Sequence, residues 1–109
     1  MSGLAVSAGP ARMGNGPSDP AGMDFGGALI MLRAGYKMAR RGWNGKAMFV
    51  YLVAGGVFAV NRAPLDVIYE PGTLVEYRPH IDMRYADGTH GVWVASQSDI
   101  LSDDWMIVP

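Results

Sequence analysis

Cysteine is absent from this chain of 109 residues. That removes disulfides, thiolate nucleophiles and cysteine-ligated zinc, and it fits a reducing compartment. Histidine occurs only twice, at His80 and His90, which leaves few nitrogen ligands for a metal. No apolar run reaches the roughly 18 residues that a membrane-spanning helix needs. The N-terminus lacks the charged start and compact apolar segment of a signal peptide. Charged residues make up 17% of the chain and the net charge is −1, so neither DNA nor RNA is an expected partner. The GxSxG, HExxH, Walker and GxGxxG patterns of common catalytic and cofactor sites are all missing.

Half of the residues are hydrophobic, within the globular range. A chain of this size forms one domain and leaves much apolar surface uncovered as a monomer, so oligomerisation is expected. The charge is unevenly spread: Lys37, Arg40, Arg41 and Lys46 are four of the nine basic residues. Such a local patch suits a small anion.

Residues 1–22, with five glycines and three prolines, read as a disordered tail that cannot offset its ordering entropy; residues 23–109 form the domain. Asp24 is a suitable N-cap for a helix whose apolar face is Phe25, Ala28, Leu29 and Leu32, with Gly35 closing it. Residues 37–40 read as extended. "KAMFVYLVA" (46–54) is the strongest strand, and since Met48, Val50 and Leu52 oppose Phe49, Tyr51 and Val53, both faces should be covered. Gly55-Gly56 suggests a turn, with residues 57–60 pairing back onto that strand. Residues 61–79 read as a long excursion with little regular structure. Residues 80–86 alternate, Asp87-Gly88 predicts a type I′ hairpin, and residues 90–95 return. Residues 96–105 suit a short helix capped by Ser96 or Ser98, and 105–108 a final edge strand. The expected class is α+β: an antiparallel β-sheet with an N-terminal helix and a short C-terminal helix.

Two segments carry candidate binding chemistry. In "RRGWNGK" (40–46), Trp43 offers a face for stacking, Asn44 offers donors and acceptors, and Arg40 and Arg41 suit phosphate. The competing reading is a connecting turn with Trp43 folded into the core. In "VWVASQSDILSDDW" (92–105), Trp93 leads into Ser96 and Asp99 at a helix start, where free N–H groups bind polar ligands; the competing reading is simple capping. His80, Asp82 and His90 come nearest to a metal or hydrolytic cluster, but alternating polar residues on an exposed strand look the same. No catalytic residue, metal or cofactor is expected.

Taken together, "MDFGGALIMLRAGYKMARRGWNGKAMFVYLV" and "HIDMRYADGTHGVWVASQSDILSDDWMIV" resemble a family of small phage proteins, the second type of Thoeris anti-defence protein. The likeness runs from Met23 to Val108. It rests on F-x-x-A-L, R-x-G-W-N-G-K, a segment close to H-I-D-M, and W-x-x-S-Q-x-D-x-L-x-x-D-W, in that order. The resemblance implies a sponge rather than an enzyme. Such proteins sequester glycocyclic ADP-ribose, a signalling nucleotide, without cleaving it, in the cytoplasm of the host bacterium. It also implies a homotetramer with pockets between protomers, and in some relatives a separate site for cyclic dinucleotides. The residues that supply suitable chemistry are Arg40, Arg41, Trp43, Asn44, Trp93, Ser96 and Asp99. The alternatives are a small phosphodiesterase using His80, Asp82 and His90, or an inhibitor that binds a host effector protein directly. A chain beginning at Met23 is expected to keep its oligomeric state and its ligand capture; light scattering and titration check this, and loss of either would make the tail structural.

Overall fold

The computed structural model describes residues 22–43 and 46–109. The tail before Gly22, like Asn44 and Gly45, lies outside the described residues. The order of elements is α1 (Phe25–Arg33), β1 (Lys37–Arg40), a 3₁₀ turn (Arg41–Trp43), β2 (Phe49–Val53), β3 (Gly56–Ala59), α2 (Leu65–Ile68), β4 (Leu74–Tyr77), β5 (His80–Arg84), β6 (His90–Val92), α3 (Gln97–Ile100) and β7 (Trp105–Val108). The class is α+β, as the sequence indicates.

Five strands form an antiparallel sheet in the order β6-β5-β2-β1-β7. Helix α1 starts where Asp24 accepts the Gly27 N–H at 2.8 Å, and its end passes into Gly35 at φ +98°, a conformation that favours glycine. It packs on β1, β2 and β7. Its buried face, Ala28 and Leu32, meets Met38, Val50, Met83 and Trp105 with Met23, all of them in the buried core. Met38, Val50 and Met83 are aligned across three strands, so one sheet face supplies the floor of the core. The other face carries Phe49 and Tyr51, which are only half-buried. Within one protomer, then, α1 covers one face of this strand and a groove opens on the other.

The pairing of residues 57–60 onto β2 is corrected. A strand has two edges, and those of β2 are taken by β1 and by the whole of β5, from Phe49 opposite Arg84 to Val53 opposite His80. β3 pairs instead with β4 in a separate two-stranded sheet, and α2 and β4 give residues 61–79 more regular structure than their composition suggests. The Asp87-Gly88 turn joins β5 to β6 as expected, but its type differs. Only Gly88 has positive φ, whereas type I′ needs it at two positions. Gly88 donates to the Tyr85 carbonyl and the Tyr85 N–H to Thr89, while the Asp87 carboxylate accepts from the Thr89 amide and hydroxyl.

Gly55 marks the point where the chain leaves the sheet. A Cβ there would run into the Tyr77 carbonyl and lie 2.9 Å from Pro79. Gly55→Ala is expected to cost about 1–3 kcal/mol through overpacking, visible in thermal melting as a drop of at least several degrees.

Candidate functional site

The residues of "RRGWNGK" meet those of the C-terminal motif through a half-buried ion cluster. Arg40, at the end of β1, donates from Nε to Asp104 Oδ1 at 2.9 Å and from Nη1 to Asp99 Oδ1 at 2.9 Å. Its side chain is only 18% exposed. The remaining Asp104 oxygen accepts the Gly42 N–H at 2.9 Å, and the Asp104 carbonyl accepts the Arg41 N–H at 3.0 Å. The loop therefore starts from a fixed position. Asp99 also acts outside the cluster. With Ser96 it forms a reciprocal capping box at α3, and its carbonyl accepts the Trp105 indole N–H at 2.9 Å.

The protonation balance follows from these contacts. Burial pushes the Asp104 carboxyl up, but the Arg40 and Gly42 donors outweigh it and hold it below the usual carboxylate range. At Asp99 burial again pushes upward, and donors from Arg40, Ser96 and Trp43 bring the net shift downward. The hydrogen bond to Asp104 raises Arg40 further, against some desolvation.

Trp43 follows directly. Its ring meets Trp105 edge-on, with centroids 5.3 Å apart, and it is half-buried against the core. It also lines a groove of about 440 Å³ on the sheet face away from α1. The groove is mostly apolar, with Ala39, Met48, Phe49, Met106 and Val108 among its lining residues. Arg41, Lys46 and Arg84 also line it. Arg84 faces this side because β5 places it opposite Phe49. Its Nη1 donates to the Ala47 carbonyl at 2.8 Å. Ala47 has φ +59°, the one positive value at a non-glycine among the described residues, and such a backbone costs an alanine on the order of 1 kcal/mol or more.

The structure thus divides the sequence candidates. Arg40, Arg41 and Trp43 line the groove, although the Arg40 guanidinium is held by two carboxylates. Ser96 and Asp99 are engaged in capping and in the ion cluster. Trp93 lies on the far side of Trp105, 5.9 Å from it and 6.0 Å from Phe25. There it lines a second hollow of about 500 Å³ with Leu29, Arg33 and His80. Asn44 lies outside the described residues. Lys46, Phe49, Arg84, Met106 and Val108 were missed as groove residues. Strand alternation alone puts Arg84 on one face with His80 and Asp82, but only the pairing with Phe49 brings it here.

His80, Asp82 and His90 do not converge. His80 Nε2 lies 3.3 Å from Asp82 Oδ1, while His90 Nδ1 is hydrogen-bonded to the Tyr51 hydroxyl at 2.6 Å. His90 sits opposite Arg84, at the other end of β5 from His80. Among the described residues, no group of three metal-ligating side chains comes together.

Comparison with known proteins agrees with the arrangement of the motifs. The model of the Thoeris anti-defense 2-like domain matches residues 23–108. The chain belongs to the Thoeris anti-defense 2-like family. It is also similar to a protein named Thoeris anti-defense 2 from Bacillus phage SP01, 38% identical over 88 residues, which cover 79% of this chain and 94% of that protein. The family match encloses the ion cluster, the loop and every groove residue except Pro109. No helix among the described residues is long and apolar enough to cross a membrane.

The ion cluster gives this domain a defined response to acid. Asp99 and Asp104 titrate below their ordinary value of 3.8, so in that range the unfolded chain binds more protons than the folded one. Their contribution is complete above about pH 5 and is lost as the pH falls through the folded values. The melting temperature is expected to be level above about pH 5 and to decline below about pH 4. Asp104→Asn should lower it at neutral pH by the equivalent of about 1.5–3 kcal/mol, and its acid decline should be shallower. An unchanged acid profile would remove Asp104 from the cluster's energetics.

Proposed function

We propose that this chain is a nucleotide sponge. It binds a cyclic ADP-ribose-type signal, glycocyclic ADP-ribose, and holds it intact in the cytoplasm of the host bacterium, so that Thoeris defence is deprived of its activator. The observation that carries this reading is the groove beside the loop. It combines an indole and an apolar floor with Arg41, Lys46 and Arg84, the pairing of chemistry that a base and a pyrophosphate require. Family membership supports the anti-defence role.

Binding without cleavage is the part that distinguishes a sponge from a phosphodiesterase. Among the described residues lining the groove there is no carboxylate, imidazole or hydroxyl side chain, the groups most used for general acid–base work. His90 stands beside the groove, opposite Arg84 and 6.4 Å from the Phe49 ring, but does not line it; His80 and Asp82 lie further along β5. We also propose a homotetramer in which protomers complete each other's pockets. The unit β3–α2–β4 favours association: two-stranded sheets are marginal alone, and Val57, Phe58, Val67, Ile68, Leu74 and Tyr77 on it are exposed. For a cyclic dinucleotide at a separate site, the hollow beside Trp93 and Arg33 is the candidate.

The deciding experiment is capture and release. The protein is incubated with glycocyclic ADP-ribose, separated from free nucleotide, and denatured by heat. Intact nucleotide in the supernatant is expected. A degraded product would make the protein an enzyme, and no capture would favour a protein-interaction inhibitor. Trp43→Ala is expected to weaken capture by about five- to 150-fold if the indole stacks on the nucleotide. Since the same ring packs on Trp105, it should also lower the melting temperature, and affinity measured below the transition separates the two effects.

A further inference from the structure

Ala47 poses a question that the groove alone does not answer. It holds a left-handed backbone that glycine would adopt freely, so something must compensate for the alanine. The Ala47 carbonyl is the acceptor for Arg84 Nη1 at 2.8 Å, and the same nitrogen lies 3.4 Å from the Tyr85 carbonyl. Arg84 itself is fixed by strand register opposite Phe49, two residues beyond Ala47. At the other end of the loop, Gly42 is held by the Asp104 carboxylate. Both ends of the segment carrying Trp43 and Lys46 are thus tied down by side chains from distant parts of the chain.

We infer that Arg84 is a positioning residue for the end of this loop: by holding the Ala47 carbonyl it maintains the left-handed turn that sets Lys46 at the groove. The inference rests on the sponge reading for its consequence, because the loop matters only if the groove binds. Arg84 also lines the groove, so the rival role is that of a direct phosphate cation. The two differ in what Ala47→Gly does. Glycine occupies the left-handed region without assistance, so it makes the clamp dispensable but cannot replace a lost cation.

The test uses the full chain as wild type, Arg84→Met, Ala47→Gly and the double variant. Methionine keeps an unbranched side chain and removes every donor. Capture of glycocyclic ADP-ribose is titrated at low and high salt, and amide exchange is followed in the nucleotide-free proteins. Arg84→Met is expected to weaken capture about tenfold, as loss of a charge-assisted hydrogen bond does. The double variant should recover most of that loss, with the wild-type salt dependence. Exchange at Ala47 and Met48 should quicken in Arg84→Met while Val50 in the core is unchanged. Absence of recovery, with a shallower salt dependence, would make Arg84 a direct phosphate contact and overturn the inference. If wild type captures no nucleotide, the sponge reading fails by itself. Exchange at Ala47 then still decides the clamp: a rate unaltered by Arg84→Met would overturn it.

Discussion

Arg40 stands between two carboxylates of the distant C-terminal segment, Asp99 in α3 and Asp104 just before β7, and the placement of the loop, of α3 and of β7 follows from that meeting. A largely buried guanidinium loses hydration that only well-placed partners restore. Asp104 and Asp99 do so at 2.9 Å each, and neither is used for Arg40 alone. Asp104 also accepts an amide of the loop, and Asp99 also caps α3. Removing either carboxylate would leave the guanidinium short of a partner in a largely buried place. The cluster thus fixes the relative position of segments about 60 residues apart in sequence.

The same cluster explains why the site is only partly legible in the sequence. "RRGWNGK" stands out as a special loop, and the capping pattern S-Q-x-D stands out as a helix start. What the letters do not say is whether the guanidinium of Arg40 faces a phosphate or a carboxylate, since both take the same forked donors. Local features are the most readable. The Asp24 cap, the Gly35 close, the β5–β6 hairpin and the edge strand β7 all depend on a few neighbouring residues. The β3–β4 pair is not readable, because it depends on β5 having already taken the free edge of β2. Arg84, Met106 and Val108 escape notice for a related reason. Each sits in an ordinary alternating strand, and only register across the sheet places it beside the loop.

The groove combines two kinds of support. Its floor belongs to strands β1, β2 and β7, whose opposite face is packed under α1, so the apolar surface is held by the core. Its basic residues come from three places: Arg41 at the start of the loop, Lys46 at its end, and Arg84 from β5. A concave site with fixed walls requires little ordering when something binds, which favours affinity over motion. The charges of Arg41 and Lys46, by contrast, belong to the loop.

Trp43 is where these two kinds of support join. The choice between a stacking residue and a core residue, which the sequence leaves open, dissolves in the structure because the ring is both packed edge-on against Trp105 and part of the groove wall. Trp105, on which that ring packs, donates its indole N–H to the carbonyl of Asp99, the residue whose carboxylate also holds Arg40. Loop position, groove shape and core packing therefore share one set of contacts. A change at Asp99 or Asp104, neither of which lines the groove, therefore reaches it only indirectly, through Arg40 and through the ring that separates the groove from the core.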